Sequence, residues 1–149
     1  MFKFLSRCTV VLIVAGILAA FPRADQQQNT AKACATLVGT WRIATAVYGG
    51  NEHKFAPGTT TIKHVTPAQF AWLTYGTDGA VTRAAGGGYT LKGETYVETP
   101  EYGISSDFDM LMGKAQTFAC RIEGNKWYLK GSLSNGLTIE EVWERVEPK

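Results

Sequence analysis

His64 is the residue best suited to acid–base chemistry in this chain, because a histidine changes charge near neutral pH. Paired with Glu98 or Glu101, it could pass a proton to and from a bound molecule, as a small isomerase or cyclase requires. The second available chemistry is recognition. Trp41, Phe70, Trp72, Tyr89, Tyr96 and Trp143 supply aromatic faces, and His64, Glu98 and Glu141 supply polar groups among them. Such a set would wall in a flat, apolar or cationic molecule and fix its polar atoms. Other chemistries lack their residues. The chain has no Gly-x-Ser-x-Gly. His53 and His64 lack metal-ligand spacing, and Asp107 and Asp109 lack the rest of a calcium loop. The run Gly86–Gly87–Gly88 leads into neither a helix N-terminus nor a Lys-Ser/Thr pair, so it does not read as a phosphate loop. No catalytic set, metal or cofactor is assigned.

These side chains need strands to carry them. From Leu37 onward, runs rich in Thr, Val, Tyr, Trp and Phe alternate with turn signals at Asp78-Gly79, Lys92-Gly93, Glu123-Gly124-Asn125 and Ser134-Asn135-Gly136. That pattern predicts antiparallel hairpins with strands near 37–48, 59–65, 69–75, 80–85, 88–91, 94–99, 115–122, 126–132 and 137–146. The three glycines mark a break or a bulge in one long strand. Residues 100–114, PEYGISSDFDMLMGK, lose the alternation. Ser105 or Ser106 can cap a short helix there and Gly113 can end it, which predicts one helical segment near 105–112.

Eight or nine short strands in sequence predict an all-β, up-and-down antiparallel meander. Closing it into a barrel removes its exposed edges, and a two-sheet sandwich is the rival arrangement. Period-two alternation sets Leu137, Ile139, Glu141, Trp143 and Arg145 on one face of the last strand, Tyr96 with Glu98, Phe70 with Trp72, and Ile62 with His64. One consistent assignment turns Trp41, His64, Phe70, Trp72, Tyr89, Tyr96, Glu98, Glu141 and Trp143 toward the interior as the ligand-binding set.

The stretch LVGTWRI, 37–43, resembles the first-strand Gly-x-Trp motif of the lipocalins and the related fatty-acid-binding proteins, together the calycins. The resemblance implies that Trp41 closes the base of a barrel, that Gly39 makes room beside it, and that Arg145 of the last strand, LTIEEVWERVE, packs across its ring. Three longer stretches, KHVTPAQFAWLTYGTDG, GGGYTLKGETYVETPEYG and KWYLKGSLSNGLTIEEVWERV, resemble a bacterial lipocalin-like family of small exported or periplasmic domains with no defined biochemical role. The fatty-acid binders carry Arg-x-Tyr on the last strand to hold the ligand carboxylate. Glu141 and Trp143 stand at those positions here, so that clamp is absent.

The N-terminus has the form of a secretory signal. Lys3 and Arg7 precede an apolar run from Thr9 to Phe21, shorter than the roughly 20 residues of a membrane-spanning helix. The expected organisation is a signal peptide at 1–24, a disordered lead-in at 25–35 and a barrel domain at 36–147. Removing residues 1–24 takes away Lys3, Arg7 and Arg23, which leaves 12 basic against 13 acidic residues and one net negative charge. No basic patch for nucleic acid survives, and no membrane span is expected after cleavage. Cys34 and Cys120 could form a disulfide in an oxidising compartment, closing a loop worth about 4 kcal/mol by chain entropy. The expected location is secreted or periplasmic, as monomer or dimer. The expected role is holding a small hydrophobic or aromatic ligand. The alternatives are a filled barrel that docks onto or inhibits another protein, and the small isomerase built on His64.

Overall fold

In the computed structural model, residues 37–104 and 109–147 are described. The signal segment, the lead-in with Cys34 and the first part of the expected helix, 105–108, lie outside the described residues.

The turn signals fall between strands, and each strand pairs antiparallel with the next. The order is β1 (Gly39–Tyr48), β2 (Asn51–Glu52), β3 (Thr60–Val65), β4 (Gln69–Tyr75), β5 (Val81–Lys92), β6 (Thr95–Ile104), β7 (Gln116–Glu123), β8 (Lys126–Ser132) and β9 (Thr138–Arg145). β9 returns to pair with β1, from Trp41 opposite Arg145 to Tyr48 opposite Ile139. Eight strands therefore close into an up-and-down barrel, and the two-residue β2 is an extra strand folded back on the end of β1. Closure leaves the barrel strands without long free edges.

One irregularity agrees with the sequence reading and one element departs from it, each with a local cause. The runs 80–85 and 88–91 form one long strand, β5, with a bulge at Gly86/Gly87 where Glu101 of β6 is skipped. At Gly87 a β-carbon would collide with the Thr99 carbonyl oxygen and the Glu101 amide. Only glycine permits that approach, so the strands bend sharply there. β6 runs through residue 104, beyond the strand end expected at 99, and residues 109–112 of the expected helical segment form turns. Leu111 on those turns is buried and packs inward, so the segment's apolar character seals the barrel wall near its open end.

The core sits at one end. Leu37, Trp41, Tyr96, Phe118, Trp127, Leu129 and Trp143 form its buried cluster. Trp127 packs edge-on against Trp41 at 5.5 Å and against Tyr96 at 5.3 Å between ring centroids. Such pairs add about 0.5–1.5 kcal/mol each beyond the area they bury.

The resemblance's structural expectation is met here. The Arg145 guanidinium lies 4.1 Å from the centre of the Trp41 ring and donates to the Val38 carbonyl at 3.1 Å. The indole N–H of Trp41 donates to the Leu37 carbonyl at 2.8 Å. Gly39 has φ +146°, and a β-carbon there would stand 2.5 Å from the Arg145 guanidinium. Glycine is needed both for the backbone and for the space. Gly39→Val should therefore lower unfolding free energy by about 2 kcal/mol. Urea denaturation followed by tryptophan fluorescence checks this, and an unchanged midpoint would refute the crowding argument.

Candidate functional site

Above the aromatic base the barrel is not filled. A cavity of about 480 Å³ occupies its upper half, within the few-hundred to thousand Å³ range of small-molecule sites. Phe70 and Trp72 of β4, Phe118 of β7, Leu129 of β8 and Trp143 of β9 wall it, with Phe55 from the segment after β2. The strand residues among them converge because each lies on the inward face of its strand.

The expected site residues divide into three groups. Phe70, Trp72, Glu98, Glu141 and Trp143 line the cavity. Trp41, Tyr89 and Tyr96 are also interior but lie in the base beneath it. The Tyr89 hydroxyl donates to the Thr66 carbonyl at 2.8 Å, and its ring lies 5.2 Å from that of Tyr96. They seal the barrel end rather than line the cavity.

His64 is the correction. It lies exposed on the outer face, with Nδ1 3.0 Å from the Thr40 hydroxyl. β3 reads TTIKHV, whose two aliphatic residues, Ile62 and Val65, fall on opposite faces, so alternation cannot orient it. Cross-strand register does. Lys63 stands opposite Trp41 in β1 and opposite Trp72 in β4, and it shares their inward face. The internal His64–carboxylate pair of the catalytic alternative is therefore not formed.

Lys63 is the interior residue that the sequence reading missed. It is 3% exposed, and its ammonium donates to Glu98 Oε1 at 2.7 Å. The same oxygen accepts from the Tyr96 hydroxyl at 2.8 Å. The ammonium also sits 4.9 Å from the Trp143 ring centre, 5.1 Å from Trp127 and 5.6 Å from Phe70. Burying this cation is costly, and the carboxylate with three aromatic faces offsets the cost. Lys63, Phe70, Glu98 and Trp143 all line the cavity, so the ion pair forms part of its floor.

A second polar group stands higher. Glu141 accepts from the Tyr48 hydroxyl at 2.8 Å through Oε1 and from the Trp143 indole at 3.0 Å through Oε2. Tyr48 faces inward because of a register shift between Ile43 and Thr45. That bulge moves the inward set from Trp41 and Ile43 to Ala46 and Tyr48, which strict alternation does not foresee. Gln116, buried at the start of β7, accepts from the Ser134 amide at 2.6 Å and donates to the Lys114 carbonyl at 2.8 Å, tying two loops at the mouth.

Both phenols are held far above the ordinary tyrosine range. For Tyr96 the main cause is burial, followed by the Glu98 charge and hydrogen bond. For Tyr48 burial again leads, followed by the charge and hydrogen bond of Glu141, with Arg83 opposing. Each phenol therefore stays protonated as a donor to its carboxylate.

No family model matches this chain, and no curated protein matches it. Solved structures do. An uncharacterized protein from Bacteroides eggerthii shares 15% identity at a TM-score of 0.55, over 73% of this chain and 98% of that one. A redesigned β-barrel shares 20% identity at a TM-score of 0.50, over 77% of this chain and 96% of that one. A fatty acid transporter aligns more loosely, at 11% identity and a TM-score of 0.44, over 77% of this chain and 99% of that one. The likeness is one of barrel fold.

Two outcomes test the site's electrostatics. Below the ordinary phenol value of about 10, native and unfolded chains hold the Tyr48 and Tyr96 protons alike. Above it the unfolded chain releases them first, so stability falls as pH rises past that point. Absorbance titration of the native protein to about pH 11 should show at most four of its six tyrosines ionising. Six phenolates before unfolding would refute the burial argument. Lys63→Met should cost about 3 kcal/mol by stranding Glu98, and Lys63→Met with Glu98→Gln should cost less than the two single changes added. A strictly additive cycle by denaturant unfolding would mean that the pair is not coupled.

Proposed function

We propose that this chain is an exported lipocalin-like domain that holds a small hydrophobic or aromatic molecule in its barrel. The observation that carries the reading is the cavity of about 480 Å³, aromatic on its walls and charged on its floor. Apolar walls supply non-directional affinity, at roughly 25 cal/mol per Å² of apolar surface removed from water. A few fixed polar groups supply orientation. The Lys63–Glu98 pair offers both a donor and an acceptor at the bottom of the cavity. A flat ligand that stacks between Trp72 and Trp143 and directs a polar atom toward that pair fits this arrangement.

The resemblance of Gly39, Trp41 and Arg145 to calycin motifs supports the lipocalin-like reading, and the apolar N-terminal run supports export. Glu141 and Trp143 bond each other where a fatty-acid binder would carry its carboxylate clamp, so a fatty-acid anion held in that manner is not the proposed ligand. The filled barrel required by the protein-docking alternative is not favoured by a cavity of this size. The isomerase alternative needs His64 inside the barrel, and His64 faces out.

Native mass spectrometry of the protein purified from its host tests the reading. The expected result is a reproducible added mass that is lost on denaturation, and a precursor shortened near residue 24. Trp72→Ala should weaken rebinding of the extracted molecule at least tenfold, about 1.4 kcal/mol. A bare polypeptide mass, together with no binding of apolar fluorescent dyes, would overturn the carrier reading.

A further inference from the structure

The carrier reading does not require the cavity floor to contain a primary amine. An apolar floor would bind an apolar ligand more simply, and a buried lysine is costly unless something uses or pairs it. Two primary amines line the cavity, the exposed Lys54 and the buried Lys63, and Lys63 is the one held by a carboxylate. A lysine amine belongs to the nucleophile class that forms imines with carbonyl compounds.

We propose that Lys63 captures aldehyde ligands covalently, as a protonated imine held by Glu98. The inference rests on the reading of the cavity as a ligand site and adds the ligand class. Three observations carry it. Lys63 lines the cavity, so a ligand lying along Phe70 and Trp143 brings its end to the amine. Glu98 Oε1 is 2.7 Å from the ammonium nitrogen, within direct proton-transfer distance. The Tyr96 hydroxyl holds that same oxygen from below at 2.8 Å, which fixes the carboxylate against the amine.

The step balances without any further reagent. The Lys63 ammonium passes one proton to Glu98, and the free amine attacks the aldehyde carbon. A C–N bond forms, the carbonyl π bond opens to an alkoxide, and one proton of the attacking nitrogen passes to that oxygen to give a carbinolamine. Glu98 returns its proton to the departing hydroxyl, which leaves as water while the nitrogen lone pair closes the C=N bond. The product is an iminium with the one positive charge that the ammonium carried, and the ionised Glu98 remains its counter-ion. Trp143, Trp127 and Phe70, already arranged around a cation at 4.9, 5.1 and 5.6 Å, face the iminium in turn. Closed aromatic walls slow hydrolysis by limiting water at the imine.

The test uses 4-(dimethylamino)cinnamaldehyde and its alcohol, two flat probes that differ only in the reactive group. Tryptophan quenching measures non-covalent binding of the alcohol. Cyanoborohydride trapping, intact mass and peptide mapping measure the covalent step with the aldehyde. The expected result is binding of both probes, a red-shifted aldehyde absorption, and one trapped adduct that maps to Lys63. Lys63→Arg should lose at least tenfold of the adduct per molecule of probe bound, with the alcohol titration of the same variant giving the occupancy. Glu98→Gln should lose the red shift, because the iminium has lost its counter-ion. Alcohol binding with no adduct, or with adducts spread over exposed lysines such as Lys54, Lys92 and Lys130, would overturn the imine while leaving the carrier reading intact. Failure of both probes to bind would overturn the imine together with the reading of this cavity as a site for flat aromatic ligands. The wild-type peptide map decides the matter even if a variant fails to fold.

Discussion

Trp41 takes part in two strand ladders at once, and that double placement organises the barrel. In β1 it stands opposite Arg145 of β9 and opposite Lys63 of β3. Once the indole is committed to the interior, the pleat brings its cross-strand neighbours to the same side. Arg145 then covers the outer face of the ring and seals the base, and Lys63 is carried into the barrel whether or not burial suits a lysine. Gly39 is the local condition for this, since any side chain there would occupy the space of the guanidinium.

The sealed base accounts for the division of the interior. Trp41, Trp127, Tyr96 and Tyr89 concentrate large rings at one end, where Trp127 packs edge-on against Trp41 and Tyr96, and Tyr89 lies tilted against Tyr96. An eight-stranded barrel is only just wide enough for its side chains. With the bulk placed low, the upper half keeps a cavity. The charges within it are organised by the same need. Lys63 and Glu98 are a buried pair in which each relieves the other's desolvation, and Tyr96 satisfies the shared oxygen. Glu141 is held by two neutral donors, Tyr48 and Trp143. Burial, reinforced by the neighbouring carboxylates, keeps both phenols protonated as donors.

Irregularities in the ladders decide which side chains reach the cavity. The register shift between Ile43 and Thr45 exchanges the faces of β1 and delivers Tyr48 to Glu141. The shift at Gly86/Gly87 skips Glu101 and lets β5 bend around the barrel. Both are one-residue events. Each moves a whole run of side chains to the other face, because the strand repeat is two.

What the amino-acid sequence determined by itself was local or self-announcing. Turn residues such as Asp78-Gly79 and Glu123-Gly124 impose backbone geometry without help from the rest of the chain, so the strands and their up-and-down order were legible. The clean alternation of β9 showed that Glu141 and Trp143 share a face, and the resemblance of Gly39, Trp41 and Arg145 to a calycin motif implied how the base closes. The orientation of β3 was decided only by tertiary structure. TTIKHV alternates polar and apolar residues on neither face, and its burial depends on which residues of β1 and β4 stand opposite. Hence Lys63 went in and His64 went out, against the usual preference of a lysine for water. A buried cation becomes tolerable only when a carboxylate from residue 98 and rings from residues 70, 127 and 143 meet it in space. That compensation is non-local, and no window of sequence around residue 63 contains it.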